Sequence, residues 1–60
     1  MDSGEIIRRL KRAGFTLDPI QGSHHIYQRD GRIAVVPHPR KDLAVGTVRS
    51  IERQAGVKLR

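Results

Sequence analysis

The stretch "SHHIYQRDGRIAVVP", residues 23–37, decides the fold. Two runs of strand-forming residues flank Asp30-Gly31, a pair suited to a two-residue type I′ turn because both central positions need positive φ. With that turn, Arg29 faces Arg32. The pairing continues as Gln28 with Ile33, Tyr27 with Ala34, Ile26 with Val35, His25 with Val36, His24 with Pro37 and Ser23 with His38. All three histidines of the chain therefore gather at the end of the hairpin away from the turn. Directly opposed residues have Cβ atoms roughly 5 Å apart, which makes His24 and His38 candidate neighbours. Alternation sends His25 to the face opposite His24.

Working outward, residues 2–13, "DSGEIIRRLKRA", read as a helix. Asp2 or Ser3 can cap it, and Glu5 suits its positive N-terminal end. Ile6, Leu10 and Ala13 recur at helical spacing with Ile7 beside them, and Gly14 is the natural stop. The following "FTLDPI" alternates weakly, and Pro19 restricts it to a short edge strand or an irregular segment. Beyond the hairpin and the loop "PRKDLAV", a second helix starts at Gly46-Thr47 with Thr47 as its N-cap and closes at Gly56. Val48, Ile51 and Ala55 line its buried face. The order helix, strand, strand, strand, helix predicts a single α+β domain over residues 1–60. Its three-stranded antiparallel sheet carries two helices on one face and is open on the other.

Sixty residues bury only about 60 % of their unfolded surface, so stability is marginal. With one Phe, one Tyr and no Trp, the core is expected to rest on Ile, Val, Leu and Ala, and any site to be shallow. The absence of cysteine excludes disulfides, thiolate metal sites and a thiol nucleophile. The longest apolar run, Ile33 to Val36, is far too short for a membrane span, and Asp2 and Glu5 stand where a signal peptide would be basic. A soluble, cytoplasmic protein with no membrane partner is expected.

Twelve Lys+Arg against six Asp+Glu give a net charge of +6 and a pI near 11.2. A whole domain this basic points to nucleic acid as partner. Arg40 and Lys41 stand on the loop beside the histidine end, and Arg49 and Arg53 lie four apart on the second helix. As a group they are candidate phosphate contacts; individually each also reads as a solvated charge. Tyr27 offers a stacking face for an unpaired base, or else caps the edge of the core. His38 can stack on a base, serve as a second proton-transfer group, or be a solvated loop residue. Three histidines raise the question of zinc, but His25 leaves by the other face and no Asp or Glu stands near, so neither metal nor cofactor is expected.

The segments "LKRAGF", "GSHHIY", "VVPHP" and "VGTVRSIERQAGV" together resemble the HicA family of bacterial toxins, over nearly the whole chain. The resemblance implies a fold like that of double-stranded-RNA-binding domains, in keeping with the α-β-β-β-α order. It further implies an endoribonuclease that cuts mRNA within a toxin–antitoxin pair and is neutralised by a HicB-like antitoxin. The family's catalytic histidine follows the Gly-Ser pair, which here makes it His24, with Gly22 and Ser23 setting the geometry of the strand's start. RNA carries its own nucleophile in the 2′-hydroxyl, and a histidine, with an ordinary pKa near 6.5, can take or give a proton near neutrality. A 2′,3′-cyclic phosphate and a 5′-hydroxyl, formed without metal, are the products to expect. Two other readings stand beside this one: a module of the same fold that grips RNA without cutting it, and an inert basic domain whose only partner is an acidic antitoxin.

Overall fold

The computed structural model describes residues 1–18 and 24–59. The elements follow in the expected order: α1 (Ser3–Arg12), β1 (Thr16–Leu17), β2 (His24–Arg29), β3 (Arg32–Pro37) and α2 (Val45–Ala55). The strands form one antiparallel sheet in the order β1-β2-β3. The register of the hairpin is the one the turn dictates, from Arg29 opposite Arg32 to His24 opposite Pro37. Asp30 and Gly31 take φ of 48° and 82°, the two positive values a type I′ turn requires. The expected pairing of Ser23 with His38 and the roles given to Gly22 and Ser23 lie outside the described residues, as does the Pro19 end of "FTLDPI".

Alternation then assigns the faces. Tyr27, Ala34 and Val36 point into the core, where they meet Ile6 and Leu10 of α1 and Val48, Ile51 and Ala55 of α2. Phe15, Leu43 and Leu59 complete it, so the only Phe and the only Tyr both belong to a core that was expected to be aliphatic. The face turned away from the helices carries His24, Ile26 and Gln28 from β2 and Ile33, Val35 and Pro37 from β3. Ile33 is 55 % exposed there.

Asp2 is the cap of α1, its carboxylate accepting the Glu5 N–H at 2.7 Å. The second helix departs from expectation. It begins at Val45 behind Ala44, without a side-chain cap, because the Ala44 carbonyl already accepts the Val48 N–H at 3.0 Å. Buried Leu43, whose N–H is held by the Met1 carbonyl at 2.9 Å, fixes the chain just upstream. Thr47 therefore falls within the first turn rather than before it.

The turn end of the hairpin places two like charges directly opposite each other, an unfavourable pairing on a sheet. They are drawn apart onto the two helix ends. Arg29 donates to the Ala13 carbonyl at the end of α1 and lies against Gly14. Arg32 reaches the Gln54 carbonyl at 3.5 Å and lies over Gly56, the left-handed C-cap of α2 (φ 68°). Cations are favoured at the negative end of a helix, so each arginine ties the hairpin to one helix. The outer edge of β3 is also covered: the Gln54 side-chain oxygen accepts the Val35 N–H at 3.0 Å, and Pro37 has no N–H to offer.

Candidate active site

His24 opens β2 on the face away from the helices, exposed and opposite Pro37. It makes no hydrogen bond or ion pair with any other described residue. A side chain so placed is available to a ligand crossing the end of the sheet.

His38 follows Pro37 and turns to the other side. Its ring packs edge-on against His25 with centroids 4.6 Å apart and planes at 66°. Its Nδ1 stands 2.6 Å from the Ser3 hydroxyl. Ser3 is the one buried polar residue among the described core positions, 1 % exposed, and three further bonds pin it to the loop. Its N–H donates to the Arg40 carbonyl at 2.9 Å, its hydroxyl lies 3.2 Å from that same carbonyl, and the Arg40 N–H donates to the hydroxyl at 2.9 Å. The N-terminal turn of α1 and the 38–41 loop thus form an open cleft of about 510 Å³, with His38, Arg40 and Lys41 on its wall. The neighbour of His38 is consequently His25, not His24 as strand pairing alone proposed. The pleat that separates His24 from His25 also puts His38, one residue beyond Pro37, on His25's side.

Tyr27 is a second correction. At 1 % exposure it is among the largest fully buried side chains, so it has no face to offer a base. Burial also raises its phenol above the usual 10.0. Of the four basic candidates, Arg40 and Lys41 share the cleft with His38. Arg53 belongs to a different depression, lined with Glu52, Gly56 and Lys58 near the end of α2, and Arg49 is exposed one turn earlier. Among the described residues no three histidine, aspartate or glutamate side chains are grouped to hold a metal ion, and no helix is long and apolar enough to cross a membrane. Ser3 is the site residue that sequence reasoning did not find. The only local signal was its place beside Asp2 at a helix start, which reads as capping.

A small basic α+β domain of α-β-β-β-α order, with an open sheet face and histidines at one end, is the class these elements define. Residues 3–57 match the family described as the HicA toxin of bacterial toxin-antitoxin systems, and the chain belongs to that family. Among solved structures it is similar to a chain of the HicA3 and HicB3 toxin-antitoxin complex, with 38 % sequence identity, a TM-score of 0.76 and full coverage of both chains. No curated protein matches the sequence. The protein is thus a HicA-family toxin of a toxin–antitoxin system, and its two-helix, three-strand fold is that of the family.

Proposed function

We propose that this toxin is a metal-independent endoribonuclease that cuts mRNA and so stops translation, with His24 as its proton-transfer residue. The observation that carries the reading is the exposed His24 at the free end of β2, unengaged by other described side chains and backed by the cationic Arg40 and Lys41 at the same end of the molecule. In the reaction, the His24 imidazole takes the proton of a ribose 2′-hydroxyl. The oxygen attacks phosphorus, the bond from phosphorus to the 5′-oxygen breaks, and that oxygen takes up a proton from a general acid or water, giving a 2′,3′-cyclic phosphate and a 5′-hydroxyl. The lysine and arginines hold the backbone phosphates.

The test is purified protein with end-labelled RNA in the presence of a chelator, followed by analysis of the cut ends. His24→Ala is expected to lower cleavage by about 10²–10⁴-fold, the usual contribution of a general acid or base, while leaving fold and RNA affinity in place. His25→Ala should do far less to the chemistry, because its side chain leaves β2 on the face opposite His24 and its ring lies against His38. Chelator-sensitive cleavage, or a His24→Ala protein that cuts at the wild-type rate, overturns the mechanism. RNA bound but never cut leaves a binding module.

For regulation, the related chain's complex with HicB3 supports a HicB-like antitoxin as partner here. The +6 charge calls for an acidic contact surface on it, and the open site calls for direct cover of the His24 end. Titrating such an antitoxin against RNA bound to the His24→Ala protein should release the RNA. Simultaneous binding with unchanged affinities excludes direct cover.

A further inference from the structure

We propose that His38 is the second proton-transfer group of this site, held ready by Ser3 acting as a positioning residue. This rests on the ribonuclease reading above and adds to it the group that protonates the leaving oxygen.

The hydrogens around the buried Ser3 hydroxyl can be counted. A serine hydroxyl has one hydrogen to give and two lone pairs to offer. At Ser3 the Arg40 N–H takes one lone pair at 2.9 Å. Two contacts remain, the Arg40 carbonyl at 3.2 Å and His38 Nδ1 at 2.6 Å. A carbonyl only accepts, so it takes the hydroxyl hydrogen, and Nδ1 must then carry its own hydrogen and donate to the second lone pair. The reverse arrangement, with the hydroxyl donating to a bare Nδ1, leaves two oxygens facing each other at 3.2 Å without a proton between them in a residue that water barely reaches. Full satisfaction therefore selects the Nδ1–H form of His38.

That choice has a chemical consequence. The Nδ1–H is present in the neutral Nδ1–H tautomer and in the imidazolium alike, so the bond to Ser3 persists through a protonation cycle. Only Nε2 gains and loses the proton, and it lies on the edge of the ring away from Ser3. Edge-on packing of His25 at 4.6 Å restricts the ring from another side. The charged or titratable groups around it are His25 from β2, Asp2 from α1, and Arg40 and Lys41 from the loop. The Asp2 carboxylate accepts the Glu5 N–H and contributes one negative charge to this lining, so Arg40 and Lys41 together leave it net positive and able to attract a phosphodiester.

His24 and His38 leave the sheet on opposite sides, but both stand at its free end. His24 pairs with Pro37, the neighbour of His38 in the chain. Their Cα atoms are therefore no more than about 9 Å apart, one strand spacing plus one residue. For both to act, the scissile phosphate must lie over the end of the sheet between the two rings, in keeping with in-line displacement, where base and acid act on opposite sides of phosphorus. As His24 takes the 2′-hydroxyl proton, the His38 imidazolium gives its Nε2 proton to the departing 5′-oxygen. His38 ends neutral with Nδ1–H still on Ser3, and His24 ends protonated. Exchange with water resets the pair.

The deciding variant is His38→Asn, whose side-chain amide can still donate to Ser3 but has no nitrogen in the place of Nε2. It should fold as the wild type does, bind RNA within about twofold, cut at least about 100-fold more slowly, and lose one limb of the bell-shaped pH–rate profile. In the wild-type protein, ¹⁵N shifts of the neutral His38 ring should show a protonated Nδ1 and a bare Nε2. Ser3→Ala should shift that ring toward a mixture of tautomers, which a merely structural serine would not do; where Ser3→Ala fails to fold, the wild-type spectrum and His38→Asn decide. A bare Nδ1 in the wild type overturns the inference, as does a His38→Asn protein that keeps both pH limbs and full rate. If His24→Ala is inactive while His38→Asn is fully active, only this inference falls. A wild type that never cuts RNA removes both readings.

Discussion

The two ends of the β2–β3 hairpin use the same kind of residue in opposite ways. At the turn, two arginines face each other, and each is directed onto the last carbonyls of a helix. At the free end, His25 and His38 touch, Ser3 holds one ring nitrogen, and His24 stands exposed on the other face. The arginines are engaged by the fold itself. The histidine end keeps one exposed ring and a cationic cleft. The difference teaches that charge alone does not mark a site in so basic a chain; what marks it is polar capacity that the fold leaves uncommitted.

The largest effect is expected where the core between the two ends is emptied. Tyr27→Ala removes a fully buried ring and should cost about 3–5 kcal/mol, enough to unfold a sixty-residue domain in a urea titration. A milder change at the same place is sharper. Tyr27 is neutral in the folded protein, with its phenol raised above the usual 10.0 by burial. The unfolded chain thus loses its proton first, so stability from this group is intact below pH 10 and declines as the pH rises beyond it. Tyr27→Phe should flatten that alkaline decline; an unchanged decline means that other groups cause it.

Gly56→Ala comes next. The left-handed φ alone costs about 1–2 kcal/mol for a residue with a Cβ, and the new methyl would lie 2.8 Å from the Arg32 guanidinium carbon. Denaturation should detect that loss while cleavage by the folded fraction stays at the wild-type rate. Changed cleavage would show that the turn end communicates with the site.

Arg29→Ala is expected to be smaller, about 0.5 kcal/mol, since a half-exposed cation at a helix end is screened and its removal also relieves the repulsion with Arg32. Its measurement is a shift of the urea midpoint without change in cleavage.

The smallest effects fall on binding. Each phosphate contact on a single strand adds about −0.7 to the slope of log K against log salt, so Arg40→Ala and Lys41→Ala should each reduce the slope by about that much. Arg53→Ala, in a separate depression, should reduce it less. Equal losses at all three would mean that RNA does not distinguish the two regions.

Much of this was legible in the chain. Asp30-Gly31 fixes the turn, the turn fixes the register, and period-two alternation fixes which strand residues face the helices. Helical spacing likewise gives Ile6, Leu10, Val48, Ile51 and Ala55 as core positions. These are rules of neighbours, acting over a few residues, and they also separate His24 from His25. The start of α2 at Val45 differs from the Thr47 cap because a favourable cap is only a local preference, whereas buried Leu43 and its bond to Met1 hold the chain in place two residues before the first residue of the helix. Tyr27 was open between two readings, because alternation gives its direction but not what stands above it.

By itself, then, the sequence determined the hairpin, its faces, the gathering of histidines at one end and the excess of positive charge. Only the tertiary structure decided which polar groups are consumed by the fold. Ser3 and His38 are 35 residues apart and meet because α1 lays its first turn on the loop that leaves β3. No local preference encodes that meeting: it follows from packing two helices over one face of a sheet, where a helix start and a strand end must share the same small volume and satisfy each other's hydrogen bonds.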